Sequence, residues 1–427
     1  MPHVFLPPFF LVIKSKLRGV LQDAVSSLPV LLLFISAGAF AADVASVSRL
    51  AFGPDDVLFV ADWKQSKIHA VKLPPAEKSA SSTFNLENLD AVLAKALGTK
   101  GFTVEHMAVR PGTGNVYLAL RHANSVSPLL VSITGDGRVR KFDFKNLRGT
   151  SLALKDAVKS DRVFYRATAQ KTLTVTDMKW FQGELFVAGL SNQDFSSTLR
   201  RVRYPFAGDV SVTSIEMFHT LHNQIETRAP IRSMAFMNLG GKPYMAAAFT
   251  CTPLVILPVE DLKDGEHVKA KTVAELGLGN TPTNMLSFSR KGWDGKSSDF
   301  LMVTLNEMGA NVIPIAQLEK AAQGPGLTQQ VEAGKTEGVT GTPYPYGGVF
   351  HVDDLNPDYF LVLRRHLREG HMQLLTVNKK LNFRISDFIG EYSMPGYKYP
   401  AGFQAEVFRP VQNMMKMEEG YPEEVIN

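Results

Sequence analysis

Six side chains able to contact or react with a ligand recur at one position of a repeated pattern. Each comes directly after the second of two apolar segments, and the six are Asp62, His122, Asn192, Cys251, Asn306 and Arg365. A carboxylate, an imidazole, two amides, a thiol and a guanidinium can together hold a polar molecule or a metal ion. If the segments are repeated around an axis, these residues meet on one face, and we predict a ligand-binding funnel there.

A second set of polar residues comes where the first strand of most copies begins. Its members interrupt an apolar segment at the same position, and they are Arg49, His106, Asp177, Arg232 with Ser233, and Asn284. Asp177 and Asn284 offer the oxygen ligands that calcium prefers. We therefore predict that these two residues bind one divalent metal ion such as calcium, while no motif identifies any other cofactor.

The single cysteine of the chain, Cys251, excludes an intramolecular disulfide. It is either buried and inert or reactive, for example as a thiolate paired with His122. His219 and His222 have a spacing that metal ligands use, although two histidines in an exposed loop are the simpler interpretation. The sequence leaves both alternatives open.

The repeated pattern is an apolar strand, a turn rich in Gly, Pro and Asp, and a second apolar strand. It begins near residues 50, 107, 178, 234, 285 and 349. Gly and Asn at the turns suit tight hairpins. Several short strands in each of six units predict an all-β fold, a β-propeller of six blades. Seven blades are the alternative, because residues 378–427 are unassigned. Helical spacing of apolar residues before Gly98 and Gly324 predicts short helical insertions between blades.

Residues 1–41 have the features of an export signal. Basic residues precede an apolar run at 30–40, and a small-residue motif ends at Ala41. The run is short for a membrane span, and an uncleaved anchor is the alternative. We predict a signal peptide at 1–41 and one propeller domain at 42–427, with a C-terminal tail from about 384. The mature protein would be periplasmic or secreted, with no transmembrane span.

Composition and missing motifs narrow the classes of function. The net charge is +5, from 46 basic and 41 acidic residues that are scattered along the 427 positions. A nucleic-acid partner is not expected, because such proteins cluster basic and aromatic residues. The sequence has no CxxCH, no GxSxG, no P-loop motif and no GxGxxG after a strand, so the usual attached haem, the hydrolase elbow and nucleotide binding are not expected.

Short phrases within the strands resemble blades of exported bacterial propellers of the NHL or YVTN-like kind. They are FVAD at 59–62, LFVAG at 185–189 and DG at 136–137, and the resemblance extends over about 46–383. It implies a rigid exported disc that presents loops to partner proteins or to ligands. It does not imply catalysis.

Two functions are compatible with these observations. The first is an exported binding or interaction protein, whose central funnel and rim loops take a partner protein or a small ligand. The alternative is a metal-assisted hydrolase or lactonase that acts in the funnel. A redox function based on Cys251 and His122 is a third, and the sequence leaves open whether the protein is an enzyme.

Overall fold

The structure, a computed structural model, describes residues 40–79, 81–124, 127–164, 169–389, 394 and 396–422. The predicted signal peptide therefore lies outside the described residues except for Phe40 and Ala41. Within the described ranges, no helix has the length and apolar character needed to cross a membrane.

Strands dominate the described chain. In the first half they are β1 Phe40–Ala41, β2 Arg49–Phe52, β3 Val57–Asp62, β4 Lys67–Lys72, β5 Asn85–Leu86, β6 Phe102–Val109, β7 Val116–His122, β8 Leu129–Ile133, β9 Val139–Phe142, β10 Arg148–Ala153, β11 Asp177–Phe181, β12 Glu184–Leu190, β13 Ser197–Arg203 and β14 Ser211–His219. In the second half they are β15 Gln224–Glu226, β16 Ile231–Leu239, β17 Lys242–Phe249, β18 Pro253–Pro258, β19 His267–Glu275, β20 Pro282–Lys291, β21 Ser297–Leu305, β22 Gly309–Pro314, β23 Glu337–Gly338, β24 Thr342–Tyr344, β25 Val349–Asp354, β26 Tyr359–Arg365 and β27 Met372–Asn378.

The helices are few and short. Among the described residues, the α-helices are α1 Leu89–Leu97, α2 Ile315–Gln323 and α3 Arg409–Glu419, and the last follows a π-helical turn at Gln404–Phe408. Helix α1 ends at Gly98, whose φ of +70° is the left-handed conformation that favours glycine. The helical insertions predicted before Gly98 and Gly324 are confirmed.

The strands pair as antiparallel four-stranded units. Blades 3 and 4 share one sheet, in which β14 and β19 pair in parallel. Divided there, and read from the innermost strand outward, the units are blade 1 (β2-β3-β4-β10), blade 2 (β6-β7-β8-β9), blade 3 (β11-β12-β13-β14), blade 4 (β16-β17-β18-β19), blade 5 (β20-β21-β22-β24) and blade 6 (β25-β26-β27-β5). The pairing confirms the predicted all-β propeller, and this division gives six units.

The innermost strands pack side by side in a closed ring that does not follow chain order. Strand β2 lies between β6 and β11, β16 lies between β11 and β20, and β25 lies between β20 and β6. Blade 2 therefore stands between blades 1 and 6. The chain leaves blade 1 on one side to form blade 2, and then crosses to form blade 3 on the other side.

Two early segments complete blades made mainly from other parts of the chain. Strand β5, which precedes blade 2, pairs with β27 as the outer strand of blade 6. Strand β10, which follows blade 2, pairs with β4 as the fourth strand of blade 1. Because these pairings tie the first third of the chain to its end and its beginning, they hold the ring closed.

Large apolar side chains fill the space between neighbouring blades. Phe59 of blade 1 stacks on Trp180 of blade 3, with ring centroids 5.6 Å apart. Phe288 of blade 5 meets Phe360 of blade 6 edge to face at 4.7 Å. Strands covered on both faces are mainly apolar, as β3 is from Val57 to Ala61. This packing fixes the innermost strands and so positions the residues at the axis.

Candidate ligand-binding site

Irregular pairing near the start of four innermost strands shapes the propeller axis. In β6, β16, β20 and β25, the register with the second strand shifts by one residue. Such a bulge re-aims the side chains beside it. As a result two successive residues from each of these strands line one cavity: Glu105 and His106, Arg232 and Ser233, Thr283 and Asn284, Phe350 and His351.

We call this space, about 60 Å³ in volume, the axial cavity. Four more residues line it. Arg49 lies in β2, Asp177 in β11, Thr176 directly before β11, and Leu363 in β26. The second predicted set of polar residues, at the strand starts, is thus brought together from all of its blades. Repeated placement around an axis, inferred from sequence, explains this convergence.

Hydrogen bonds across the blade boundaries use several of these side chains. The backbone N–H of Leu50 in blade 1 donates to Nδ1 of His106 in blade 2 at 3.3 Å. On the other side of blade 1, Nε of Arg49 donates to the carbonyl of Thr176 at 2.5 Å. Both bonds join neighbouring innermost strands, so these residues help to close the ring.

The oxygens of Asp177 and Asn284 make the same kind of connection. Oδ1 of Asp177 accepts from the backbone N–H of Met178, and Oδ2 accepts from that of Met234 in blade 4, both at 2.8 Å. Oδ1 of Asn284 accepts from the backbone N–H of Val352 in blade 6 at 3.2 Å. A metal ion would have to compete with these bonds, and the predicted metal site at Asp177 and Asn284 stays a prediction.

Two neutral histidines lie next to each other at the axis. The rings of His106 and His351 meet edge to face, with centroids 4.4 Å apart. Burial lowers the pKa of His106 well below its ordinary value, and burial together with Lys179 and Arg49 lowers the pKa of His351 to about 3. Both imidazoles are therefore uncharged at neutral pH, and each is a weak base.

Two guanidinium groups carry positive charge into the axial cavity. Burial lowers the pKa of Arg49, while Asp177 raises it and Arg232 lowers it. Burial also lowers the pKa of Arg232, and no carboxylate opposes that effect. Both groups remain protonated, because arginine does not lose its proton in proteins. Among the described residues, the guanidinium of Arg232 has neither a hydrogen-bond partner nor an ion-pair partner.

A wider depression of about 810 Å³ adjoins the axial cavity and shares Arg49 and Glu105 with it. We call it the blade 1–2 groove, and its polar and aromatic lining residues include Ser46, Ser48, Arg49, Trp63, Lys64, Glu105, Arg121, His122, Asn124 and Thr172. The volume is typical of small-molecule sites. Arg49, Lys64 and Arg121 outnumber the carboxylate of Glu105, so the groove has a positive balance.

His122 and Asp62, from the predicted funnel, lie at or beside this groove in different roles. His122 lines it, and its Nε2 is 3.1 Å from the hydroxyl of Thr99. Asp62 is fully buried, and its carboxylate accepts from the backbone N–H of Ala45 and from the hydroxyl of Ser46, both at 2.6 Å. Burial would raise the pKa of Asp62, but hydrogen bonds, first from His69, lower it. Asp62 fixes the segment that enters blade 1.

Three of the other predicted funnel residues lie outside both the axial cavity and the groove: Asn192 and Asn306 in loops, and Arg365 at the end of β26. The backbone N–H of Asn192 donates to the carbonyl of Asp156 at 2.8 Å. Asn306 is exposed, and Arg365 donates to the carbonyl of Gly370 at 2.6 Å. The second strands of the blades do end on one face, but the loops that follow them take different paths. The two described cavities therefore contain only His122 of the six, and a ligand contact by the others stays a prediction.

Cys251 lies beside His219 and His222, and potential ligand atoms of these three residues lie within 4.8 Å of one another. His122, the predicted partner of Cys251, belongs to another blade. Burial raises the pKa of the Cys251 thiol. The interpretation of both histidines as exposed is wrong for His219, whose side chain is 1% exposed, and correct for His222, which is 51% exposed.

A second axial histidine is among the cavity residues that the sequence analysis did not predict. His351 occupies the position in blade 6 that corresponds to His106 in blade 2 and Asn284 in blade 5. His351 follows the bulge of β25 just as His106 and Asn284 follow the bulges of β6 and β20. The predicted sixth copy of the pattern begins near residue 349, whereas Val352 is the residue that corresponds to Met107 and Met285, so the polar residue directly before Val352 was passed over.

Comparisons with known proteins add little to this geometry. No known protein family matches the sequence, and no curated protein matches it. Similar solved structures include extracellular domains 1–2 of Drosophila Semaphorin 1b, at 11% identity and TM-score 0.37, covering 80% of this chain and 86% of that one. The PQQ-bound aldose sugar dehydrogenase from Streptomyces coelicolor has 12% identity and TM-score 0.33, covering 80% and 96%. Such low similarities do not bear on function. The strand pairing itself defines the chain as a β-propeller protein.

Proposed function

We propose that this protein is a binding protein that takes a small anionic ligand in the blade 1–2 groove. The anionic group of the ligand would lie at Arg49 and Arg232, where the groove meets the axial cavity. The observation that carries the proposal is the guanidinium of Arg232, which is partly buried and has no partner among the described residues. A partly buried charge without a partner has lost part of its hydration, and a bound anion would compensate that cost.

The electrostatics of the axis favour an anion over a cation. Arg232 lowers the pKa of Arg49, which reports repulsion between the two guanidinium groups. A carboxylate or phosphate oxygen placed between them would replace this repulsion by charge-assisted hydrogen bonds. Asp177 attracts Arg49, but among the described residues no hydrogen bond or ion pair joins Asp177 to Arg232.

A binding role fits the axial histidines better than catalysis. The low pKa values of His106 and His351 make both imidazoles poor general bases at neutral pH. The alternative, a metal-assisted hydrolase, needs oxygen atoms of Asp177 and Asn284 that are free to bind a metal ion. Those oxygens already accept hydrogen bonds from backbone N–H groups, so this alternative has the weaker support.

A partner protein is the second candidate for the same face. Exposed apolar side chains stand in three loops that join a second strand to a third: Phe195 is 48% exposed, Met308 is 51% exposed and Leu367 is 77% exposed. Antiparallel pairing puts these loops at the edge where the innermost strands begin. Exposed apolar side chains gathered on one face are typical of surfaces that bind proteins.

Export is also part of what we propose, and it is supported by the sequence of residues 1–41 alone. Strand β1, Phe40–Ala41, pairs with β10, so cleavage after Ala41 would remove that short strand from blade 1. Intact-mass measurement of the exported chain tests this. A chain that begins at Ala42 supports cleavage, and a chain that retains residues 1–41 supports the uncleaved anchor.

The anion site is tested by thermal unfolding of the purified protein with inorganic phosphate, sulfate, malonate and citrate. A ligand at about one hundred times its Kd stabilises the folded state by about 2.7 kcal/mol. We expect at least one probe to raise the Tm of the wild type. Arg232→Gln should abolish that increase, and Arg148→Gln, a control on the exposed outer strand of blade 1, should retain it. The site is excluded if no probe raises the Tm, or if both variants respond alike.

A further inference from the structure

Three side chains at the boundary of blades 3 and 4 bring together the ligand types that bind transition metals. His219 ends β14, His222 lies in the turn that follows, and Cys251 lies in the loop between β17 and β18. The parallel pairing of β14 with β19 brings the two blades together at this point. One potential ligand atom from each residue lies within 4.8 Å of the other two.

A glutamate orients both imidazole rings. Oε1 of Glu226 is 2.9 Å from Nδ1 of His219 and 2.5 Å from Nδ1 of His222. A glutamate carboxylate is ionised at neutral pH and can only accept, so each Nδ1 must donate its proton. In the neutral rings the proton-free nitrogen is then Nε2. A carboxylate that holds the far nitrogen of a histidine is the usual support of a metal ligand.

One of the two free nitrogens is buried without any partner. Nε2 of His219 is inaccessible to solvent, and it makes no hydrogen bond to the described residues. A buried acceptor left without a donor is unfavourable. A metal ion would satisfy the lone pair of this nitrogen. The unpartnered Nε2 therefore indicates a ligand independently of the closeness of the three side chains.

The cysteine adopts an unusual backbone conformation, and hydrogen bonds hold the loop that contains it. Cys251 has a φ of +83°, although it is not a glycine. Conformations of this kind are costly for other residues and concentrate at functional sites. The flanking hydrogen bonds hold the loop, since Thr250 N–H donates to the carbonyl of Pro230 and Leu276 N–H donates to that of Thr252.

The surrounding charge suits a cation. Glu226 lies against the two histidines, and both Glu275 and Glu226 act electrostatically on Cys251. Glu275 is 1% exposed, and the backbone N–H of Gly277 and the hydroxyl of Thr220 hold its two oxygens. These carboxylates would balance the positive charge of a bound ion without being its ligands.

We propose that His219, His222 and Cys251 bind one zinc ion through two imidazole nitrogens and a thiolate. Zinc accepts nitrogen and sulfur ligands together and is bound in proteins by such mixed sets. His222 is half exposed, so a water molecule can reach the fourth position. Binding displaces the proton of the Cys251 thiol to solvent as the zinc–sulfur bond forms. Calcium, which prefers oxygen ligands, does not fit this site.

A second histidine cluster provides a matched control. His366, Glu369 and His371 lie close together in the loop between β26 and β27. That cluster has no cysteine, and Nδ1 of His366 accepts from the backbone N–H of Glu369 at 3.1 Å. A variant there removes a histidine of similar setting without touching the proposed zinc ligands.

The test uses the purified full chain, freed of metal by a chelator and then titrated with cobalt(II) and zinc(II). Cobalt(II) bound to a thiolate gives a charge-transfer band in the near ultraviolet, which zinc then removes by displacement. We expect one ion per chain, loss of the band in Cys251→Ser, and at least about tenfold weaker zinc binding in His222→Gln and Glu226→Gln. His366→Gln should bind zinc as the wild type does.

The test does not depend on whether Cys251→Ser folds, because His222 is exposed and can be replaced separately. If Cys251→Ser does not fold, which circular dichroism will show, the affinity of His222→Gln still decides. The proposal is overturned if the wild type gives no thiolate band with cobalt, or if zinc binds His222→Gln as tightly as the wild type. It is also overturned if His366→Gln weakens binding as much as His222→Gln does, or if calcium displaces the zinc.

Discussion

The axial cavity and the His219–His222–Cys251 cluster contain similar polar side chains that use their hydrogen-bonding groups differently. At the axis, side-chain oxygens of Asp177 and Asn284 accept hydrogen bonds from backbone N–H groups of neighbouring blades. In the cluster, Glu226 holds one nitrogen of each ring and leaves the other free. Convergence of polar residues therefore does not identify a site by itself. An atom without a partner that lies close to other potential ligand atoms is the better indication.

The two regions also differ in charge, and so in what they would bind. At the axis, the guanidinium of Arg232 is a cation without a partner among the described residues, and it would attract an anion. The cluster has an unpartnered lone pair, on Nε2 of His219, next to two carboxylates. The same fold can thus hold an anion at its centre and a metal ion between two blades.

The largest expected effect is at Asp177. Asp177→Ala leaves the buried backbone N–H groups of Met178 and Met234 unpaired and removes the carboxylate that acts most strongly on Arg49. We expect the free energy of unfolding to fall by about 3–5 kcal/mol. Asp177→Asn, which keeps an acceptor, should lose less. Urea unfolding measures both. A loss below about 1 kcal/mol in the alanine variant would mean that Asp177 does not connect the blades.

The second effect is an acid sensitivity of the axis. The pKa of His351 is about 3 in the folded protein, below its ordinary value of 6.5. The unfolded chain therefore binds more protons below pH 6.5, and stability falls as the pH decreases from there toward 3. His351 alone should cost about 3 kcal/mol between pH 7 and pH 4.

Denaturant unfolding at several pH values checks this expectation. His351→Gln should flatten the decline of stability between pH 6.5 and pH 4. His371→Gln, a control at a partly buried histidine in the loop between β26 and β27, should leave the decline unchanged. An identical decline in the wild type and His351→Gln would show that His351 is not neutral because of its burial.

A third comparison separates an axial asparagine from one in the predicted funnel. Asn284→Ala removes the acceptor for Val352 N–H across blades 5 and 6, and should cost about 1–3 kcal/mol. Asn306→Ala, at an exposed position of the same blade, should change stability by less than about 0.5 kcal/mol. Equal costs in urea unfolding would remove the distinction drawn between the two sets of residues.

The smallest effect has the opposite sign. Arg232→Met removes a cation that is repelled by Arg49 and has no partner among the described residues. We expect the free energy of unfolding without ligand to rise by up to about 1 kcal/mol, because binding sites often sacrifice stability. Arg148→Met should leave it unchanged. A clear loss of stability in Arg232→Met would show that this cation has a structural role.

The fold was largely predictable, because the strand–turn–strand repeat follows from local turn chemistry and apolar alternation. The order of the blades was not. Blade 2 lies between blades 1 and 6 because of packing between distant residues, and β5 and β10 are too short or too polar to be recognised as outer strands.

The candidate site was predictable in part. The shared position of Arg49, His106, Asp177 and Asn284 at strand starts correctly indicated that they meet at the axis. The sequence could not indicate that the oxygens of Asp177 accept backbone N–H groups, since hydrogen-bond partners depend on the neighbouring blade. Nor could it bring His219 and Cys251 together, because they lie on different blades.

We propose above that Arg49 and Arg232 hold an anion at the mouth of the axial cavity. The most direct test is anomalous diffraction from crystals soaked in selenate, compared between the wild type and Arg232→Gln. We predict one anomalous peak within hydrogen-bond distance of both guanidinium groups in the wild type, and no peak there in the variant. The absence of an axial peak in the wild type, or an equal peak in Arg232→Gln, would contradict the claim.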